Sequence, residues 1–251
     1  MTADPLLEIH NVTKSFGGLN AIDGASLSLS SGALHAIIGP NGAGKTTLFN
    51  VISGTLNPTS GHIKFLGRDI TNEPVHRISQ LGMARTLQIK SVFPNLSVRE
   101  NLWIAAQSRD GVFKPFARAR DLRPANEKAD ALCEELGLTD LANHNAANLS
   151  YGDVALLEIG LALATDPKLL LLDEPVCGMG PAETEQTVEK IRKLARKIDI
   201  IIIEHDMEVI FNIADDIIVM AQGRVLARGT SNEISNNADV RIAYLGDDHD
   251  D

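Results

Sequence analysis

Cysteine is scarce: the 251-residue chain has two, Cys133 and Cys177, far apart. That leaves no disulfide framework and no metal-ligand spacing, and it points to a reducing, cytosolic setting. Aromatic residues make up only 4%, so the core must be built from aliphatic side chains, which a 44% hydrophobic content supplies. Long apolar runs are missing too. The longest, at residues 169–172 and 200–203, are of strand length and cannot span a bilayer, and no basic-then-apolar leader opens the sequence. Work at a membrane would therefore run through partners. Nor is there a basic excess: 23 Lys and Arg stand against 33 Asp and Glu, a net charge of −10. Nucleic-acid coating needs the opposite sign. The length suits one large α/β domain with an added subdomain.

What is present sorts into two strand types. Residues 6–12 and 26–30 alternate polar and apolar side chains around a Gly17-Gly18 turn, and residues 62–65 do the same; this predicts an antiparallel sheet with one wet face. Residues 169–172, 200–203 and 217–220 are continuously apolar, as strands covered on both faces are. Helices are expected over 181–197, started by Pro181 with Glu183 and Glu185 in its first turn, and over 207–213. The middle, about 89–165, reads as helices without a strong strand. Ser97 and Glu100 form a capping box for a helix through Trp103 and Ala106, and residues 111–123 read as a loop or bent helical hairpin.

The most specific motif is Gly39-Pro40-Asn41-Gly42-Ala43-Gly44-Lys45-Thr46-Thr47, which follows a short apolar strand and opens an apolar helix. It fits G-x-x-x-x-G-K-[ST] at every fixed position. Glycines let main-chain N–H groups close around phosphate oxygens, and the helix adds its positive end. Lys45 is suited to reach the outer phosphates and Thr46 to place its hydroxyl on Mg²⁺. A second constellation ends the strand at 169–172, where Asp173 and Glu174 follow directly. Ligands in parallel α/β folds collect at such carboxyl ends. Asp173 suits water-mediated binding of Mg²⁺, and Glu174 suits orientation or deprotonation of the water that attacks a γ-phosphate. The strand at 200–203 ends similarly, in Glu204-His205-Asp206. His205 either bridges the γ-phosphate or merely caps the next helix; the parallel with Asp173-Glu174 favours the first.

In this order the motifs resemble the ATP-binding subunits of ABC transporters, over nearly the whole chain: the Walker A loop at 39–47, Gln88 in Thr86-Leu87-Gln88, the signature Leu149-Ser150-Tyr151-Gly152-Asp153, the Walker B strand and the switch His205. The resemblance implies a P-loop NTPase core with an antiparallel β subdomain (residues 1–88 and 166–251) and an inserted helical subdomain (89–165). It implies Mg²⁺-dependent ATP hydrolysis and a head-to-tail dimer, homo- or heteromeric, in which Ser150 and Gly152 meet the partner's ATP. Phe16 would stack on adenine, and Gln88 would contact Mg²⁺ and pass the nucleotide state to transmembrane permease subunits at the cytoplasmic face. Within the family the chain is similar to branched-chain amino acid uptake ATPases and their urea or amide relatives, which work with a periplasmic solute-binding protein. Phe16-Gly17-Gly18-Leu19-Asn20-Ala21 and Ala243-Tyr244-Leu245-Gly246 carry this. The lipopolysaccharide-export ATPase is a near alternative.

The signature departs from the usual LSGGQ, with Tyr151 and Asp153 in place of Gly and Gln. Asp153 can form a capping box with Ser150, so it is expected to face its own helix. Residues 177–180 lack the aspartate common in the family. A soluble ABC ATPase acting on DNA or ribosomes, a small P-loop kinase and a nucleotide-gated binding module are the rival readings; measured ATPase activity separates the last. His35 is expected to be a satisfied core or interface histidine, Cys177 no nucleophile, and the acidic tail at 247–251 a solvated end.

Overall fold

The computed structural model describes residues 5–86, 92–107 and 123–245. In chain order its first half holds β1 (Leu7–Phe16), β2 (Leu19–Leu29), β3 (Leu34–Ile38), α1 (Lys45–Ile52), β4 (Ser60–Phe65), β5 (Arg68–Asp69), α2 (Val75–Leu81), β6 (Met83–Arg85) and α3 (Val98–Gln107). The second half holds α4 (Arg123–Leu136), α5 (Tyr151–Leu163), β7 (Leu169–Asp173), α6 (Pro181–Leu194), β8 (Asp199–Ile203), α7 (Met207–Ile213), β9 (Asp216–Ala221), β10 (Arg224–Gly229), α8 (Ser231–Ser235) and α9 (Ala238–Leu245).

The two strand types form two sheets. Four strands pair antiparallel in the order β2-β1-β4-β5, with β1 and β2 joined through Gly17 and Gly18 at φ 53° and 94°. Six pair in the order β10-β9-β3-β8-β7-β6, parallel except for β10, which runs back along β9. Because successive strand residues point to opposite faces, each continuously apolar strand feeds two cores. Leu170, Leu172, Ile200, Ile202, Ile217 and Val219 pack with α3, α4 and α5. Their neighbours Leu169, Leu171, Ile201, Ile203, Ile218 and Met220 pack with α1 and the antiparallel sheet. Both faces are covered, which is why these strands carry no polar alternation.

The expected helix at 207–213 has the expected bounds, and Ser97 and Glu100 cap α3 reciprocally: Glu100 N–H donates to Ser97 Oγ at 3.2 Å, and Ser97 N–H to Glu100 Oε2 at 2.8 Å. The helix expected over 181–197 instead stops at Leu194, because the chain turns there to enter β8; Lys197 N–H donates back to the Leu194 carbonyl at 2.8 Å. Residues 111–122 lie outside the described residues, and Arg123 opens α4. Among the described residues no helix is long and apolar enough to cross a membrane.

Candidate active site

The loop between β3 and α1 is held in a shape only glycine allows at two points. Gly39 has φ 151°, and a Cβ there would lie 2.1 Å from the Met220 carbonyl oxygen; Gly44 has φ 97°, and its Cβ would lie 2.3 Å from that of Ala21. The loop is thereby wedged between β9 and β2. Gly44 caps α1 without a side chain, so the first N–H groups of the helix face the loop mouth as donors for an anion. Asn41, Gly42 and Thr46 are exposed at this mouth, Pro40, Gly44 and Thr47 are half-buried, and Gly39 and Ala43 are buried. Lys45 folds over it: Nζ donates to the carbonyls of Gly39 at 2.6 Å and Pro40 at 2.9 Å. Burial lowers the Lys45 pKa, and the charge of nearby Glu174 works against that. The ammonium and Glu174 thus come from elements far apart in sequence to one locus.

At the end of β7, Asp173 is buried. Its Oδ2 accepts from Arg85 Nη2 at 2.7 Å, while Oδ1 is buried with no protein hydrogen-bond partner. A buried orphan carboxylate oxygen beside a phosphate-binding loop fits a divalent cation or its bound water. Among the described residues no group of three or more His, Cys, Asp and Glu could hold a metal ion. A cation here would draw its remaining ligands from phosphates, hydroxyls and water, as Mg²⁺ does.

Glu174 turns the chain sharply out of the strand. Its φ is 50°, unusual for a residue with a side chain, and its N–H donates to the Ile203 carbonyl at 2.9 Å, tying the end of β7 to that of β8. Its carboxylate is 3.9 Å from Nδ1 of His205, whose ring is mostly exposed. His205 does not cap the following helix. Asp206 does, its Oδ1 accepting from the N–H groups of Glu208 at 3.0 Å and Val209 at 3.2 Å. Beneath both lies Glu204, fully buried, whose Oε1 accepts from Val176 N–H at 3.0 Å and Oε2 from His205 N–H at 3.2 Å. Burial pushes the Glu204 pKa up against the pull of those two bonds.

Ser150 caps α5: its Oγ accepts from Asp153 N–H at 3.2 Å and donates to Asp153 Oδ2 at 2.9 Å, so the carboxylate is turned to its own helix. Gly152 is buried against α6, where a Cβ would meet Glu183 Cβ at 3.4 Å. Tyr151 projects outward, 62% exposed. Among the described residues no hydrogen bond or ion pair joins Ser150 or Gly152 to the loop at 39–47. Phe16 ends β1 half exposed, with Lys14 Nζ 5.1 Å from its ring centroid. Gln88 lies outside the described residues.

Three residues absent from the sequence reading of the site border it: Arg85, Glu204 and Tyr244. Burial pushes the Tyr244 phenol up to about 12, and a hydrogen bond from the Gly39 backbone opposes this, so the C-terminal helix touches the first glycine of the loop. His35 is, as expected, a satisfied core histidine, bonded to Asp216 Oδ2 at 2.7 Å and the Ser30 carbonyl at 2.9 Å.

A family model described as "ABC transporter" matches residues 22–177, and one described as "Branched-chain amino acid ATP-binding cassette transporter" matches residues 224–250. The high-affinity branched-chain amino acid transport ATP-binding protein BraF of Pseudomonas aeruginosa is 41% identical over 252 residues, covering 97% of this chain and 98% of the relative. The protein LivG of the same description from Escherichia coli is 39% identical over 253 residues, covering 98% and 99%. Among solved structures, a nucleotide-free ATP-binding cassette from an ABC transporter superposes with a TM-score of 0.83 at 34% identity, covering 96% of this chain and 98% of that one. The ADP conformation of the cassette MJ1267 superposes at 0.84 with 33% identity, covering 96% and 99%. Matched so over nearly its whole length, and carrying a phosphate loop beside a strand that ends in paired carboxylates, the chain belongs to the ABC transporter family as one of its ATP-hydrolysing subunits.

Proposed function

We propose that this subunit powers import of branched-chain amino acids or related polar solutes through transmembrane permease partners, as a peripheral protein at the cytoplasmic face of the membrane. The names of the relatives and the matched C-terminal segment support import of this solute class over lipopolysaccharide export. In this reading the main-chain amides of 39–47 and Lys45 grip the triphosphate, with Thr47 beside them. Phe16, exposed at the end of β1, stacks on adenine. Mg²⁺, when bound, neutralises charge on the phosphates; Thr46, Asp173 and Gln88 are its protein partners. Glu174 holds the attacking water and takes its proton, and His205 faces the γ-phosphate.

Residues 1–88 and 166–251 act as the nucleotide-binding core, and 89–165 as a helical subdomain that presents Ser150 and Gly152 to a second copy or a second ABC ATPase. One feature supports that assignment: among the described residues no hydrogen bond or ion pair joins Ser150 or Gly152 to the loop of the same chain. Hydrolysis would loosen the pair and move the segment around Gln88 against the permease.

The observation that carries the catalytic reading is the left-handed Glu174, pinned to β8, with its carboxylate 3.9 Å from His205 Nδ1 and its charge acting on Lys45. Glu174→Gln keeps the size of the side chain and removes its basicity. ATP turnover should fall by about 10²-fold or more, while binding of a fluorescent ATP analogue stays at the wild-type level. Turnover near wild type in that variant rejects Glu174 as the base.

A further inference from the structure

We infer that Arg85 is a positioning residue: it sets the metal-facing carboxylate of Asp173 at a fixed distance from the helix that carries Thr46. The inference rests on the reading of Asp173 and Thr46 as protein partners of the cation. Arg85 is the last residue of β6, and its side chain is only 11% exposed. One end of its guanidinium, Nη2, donates to Asp173 Oδ2 at 2.7 Å. The other end, Nη1, donates to Asn50 Oδ1 at 2.7 Å and Ser53 Oγ at 3.2 Å. Its Cζ lies over the Phe49 ring, 5.6 Å from the centroid. Asn50 stands four residues after Thr46 on α1, so the two share a helix face. A single rigid fork therefore spans from the face that bears Thr46 to the carboxylate at the end of β7.

An ordinary structural role accounts for less of this. β6 and β7 are already joined by their own ladder, through Met83 with Leu169, Ala84 with Leu170 and Arg85 with Leu171. A buried ion pair is a poor way to add stability where apolar side chains would serve, because both charges must be stripped of water. What the pair does add is direction. With Oδ2 committed to the guanidinium, Oδ1 is the oxygen left without a protein partner. Three residues beyond Arg85 the chain reaches Gln88, so the strand end that holds the carboxylate also leads into the segment proposed to report on the nucleotide.

The test separates cation binding from nucleotide binding and from turnover. The full-length chain and the variants Arg85→Lys, Arg85→Gln, Asn50→Ala and Asp173→Asn are titrated first with a fluorescent ADP analogue in EDTA, then with Mn²⁺ in the presence of ADP, with free Mn²⁺ read by electron paramagnetic resonance. Affinity for the analogue in EDTA should not change. Mn²⁺ affinity should fall by about tenfold in Arg85→Gln, the usual cost of losing a group that orients a metal ligand. It should also fall in Arg85→Lys, since a point charge cannot bridge both anchors, and in Asn50→Ala, which leaves the Arg85–Asp173 contact itself in place. If Arg85→Gln does not fold, the other two variants carry the test. Mn²⁺ affinity within roughly twofold of wild type in both Arg85→Lys and Asn50→Ala, with Asp173→Asn weakened, overturns the role of Arg85 alone. Tighter Mn²⁺ binding in the Arg85 variants also overturns it, since the guanidinium would then merely repel the cation. Unchanged affinity in Asp173→Asn overturns the underlying assignment of Asp173.

Discussion

Removing the carboxylate of Glu204 tests whether the loops bearing Glu174 and His205 are braced from below. The side chain is fully buried, and its two oxygens accept from Val176 N–H and His205 N–H. In Glu204→Ala both donors lose their acceptor. Val176 is 6% exposed, so its N–H stays dry and should cost about 1–3 kcal/mol. His205 is largely exposed, so water can replace the lost bond there at little cost. Relief from burying a carboxylate offsets part of the loss, and the space left behind adds to it. The net expectation is about 2 kcal/mol of destabilisation at pH 7, read from urea unfolding.

The pH dependence gives an independent sign. Burial raises the native pKa of Glu204 above the ordinary 4.5, so the native state binds more protons than the unfolded chain between those two values. The proton-linked part of its contribution is therefore full below 4.5 and is lost as pH rises through the raised native value, leaving the two N–H bonds to carry the remainder at pH 7. The gap between wild type and Glu204→Ala should be widest in acid and narrow towards neutrality. A Glu204→Ala protein within about 0.5 kcal/mol of wild type at both ends of that range would refute the brace.

Three further outcomes follow from the geometry. Gly44→Ala must place a methyl 2.3 Å from the Ala21 carbonyl at φ 97°, so it should destabilise the fold by about 2 kcal/mol or more and weaken ATP binding, measured by thermal unfolding and analogue titration. Burial works to raise Asp216, but hydrogen bonds from His35 and Arg228 outweigh it and hold its pKa down from 3.8 to about 2. Its stabilising contribution is thus present above the unfolded value and lost as pH falls towards 2; urea midpoints of wild type and Asp216→Asn should converge over that window, and parallel curves would contradict the pairing. Ser150→Ala removes the cap of α5 and should lower stability by about 1 kcal/mol, seen as a drop in Tm; an unchanged Tm would mean that the cap contributes nothing.

How far the chain could be read without coordinates depends on how local each cause is. The loop at 39–47 is legible because its glycine requirement and its helix start lie within nine consecutive letters. Asp173 and Glu174 stand out because a fully buried strand ends on them, and the buried runs of β7, β8 and β9 are visible as unbroken apolar letters. β10 escaped notice for the opposite reason. It is an edge strand whose residues alternate exposed and half-buried and carry Arg224 and Arg228, so only its pairing with β9 makes it a strand. Glu204 hides in a run of three polar residues that looks like a strand meeting water; its burial becomes visible only with Val176 folded over it.

Sequence alone was enough for the class of fold and the reaction, because phosphate gripping and aliphatic strand burial are written in short contiguous patterns. Which oxygen of Asp173 is left without a protein partner, which acid sits dry beneath the site, and how Tyr244 comes to touch Gly39 depend on contacts between segments 28 to 205 residues apart. No local propensity encodes such pairings. They arise when packing of the two cores brings the ends of β3, β6, β7 and β8 to one edge, and polar groups stranded there must find each other.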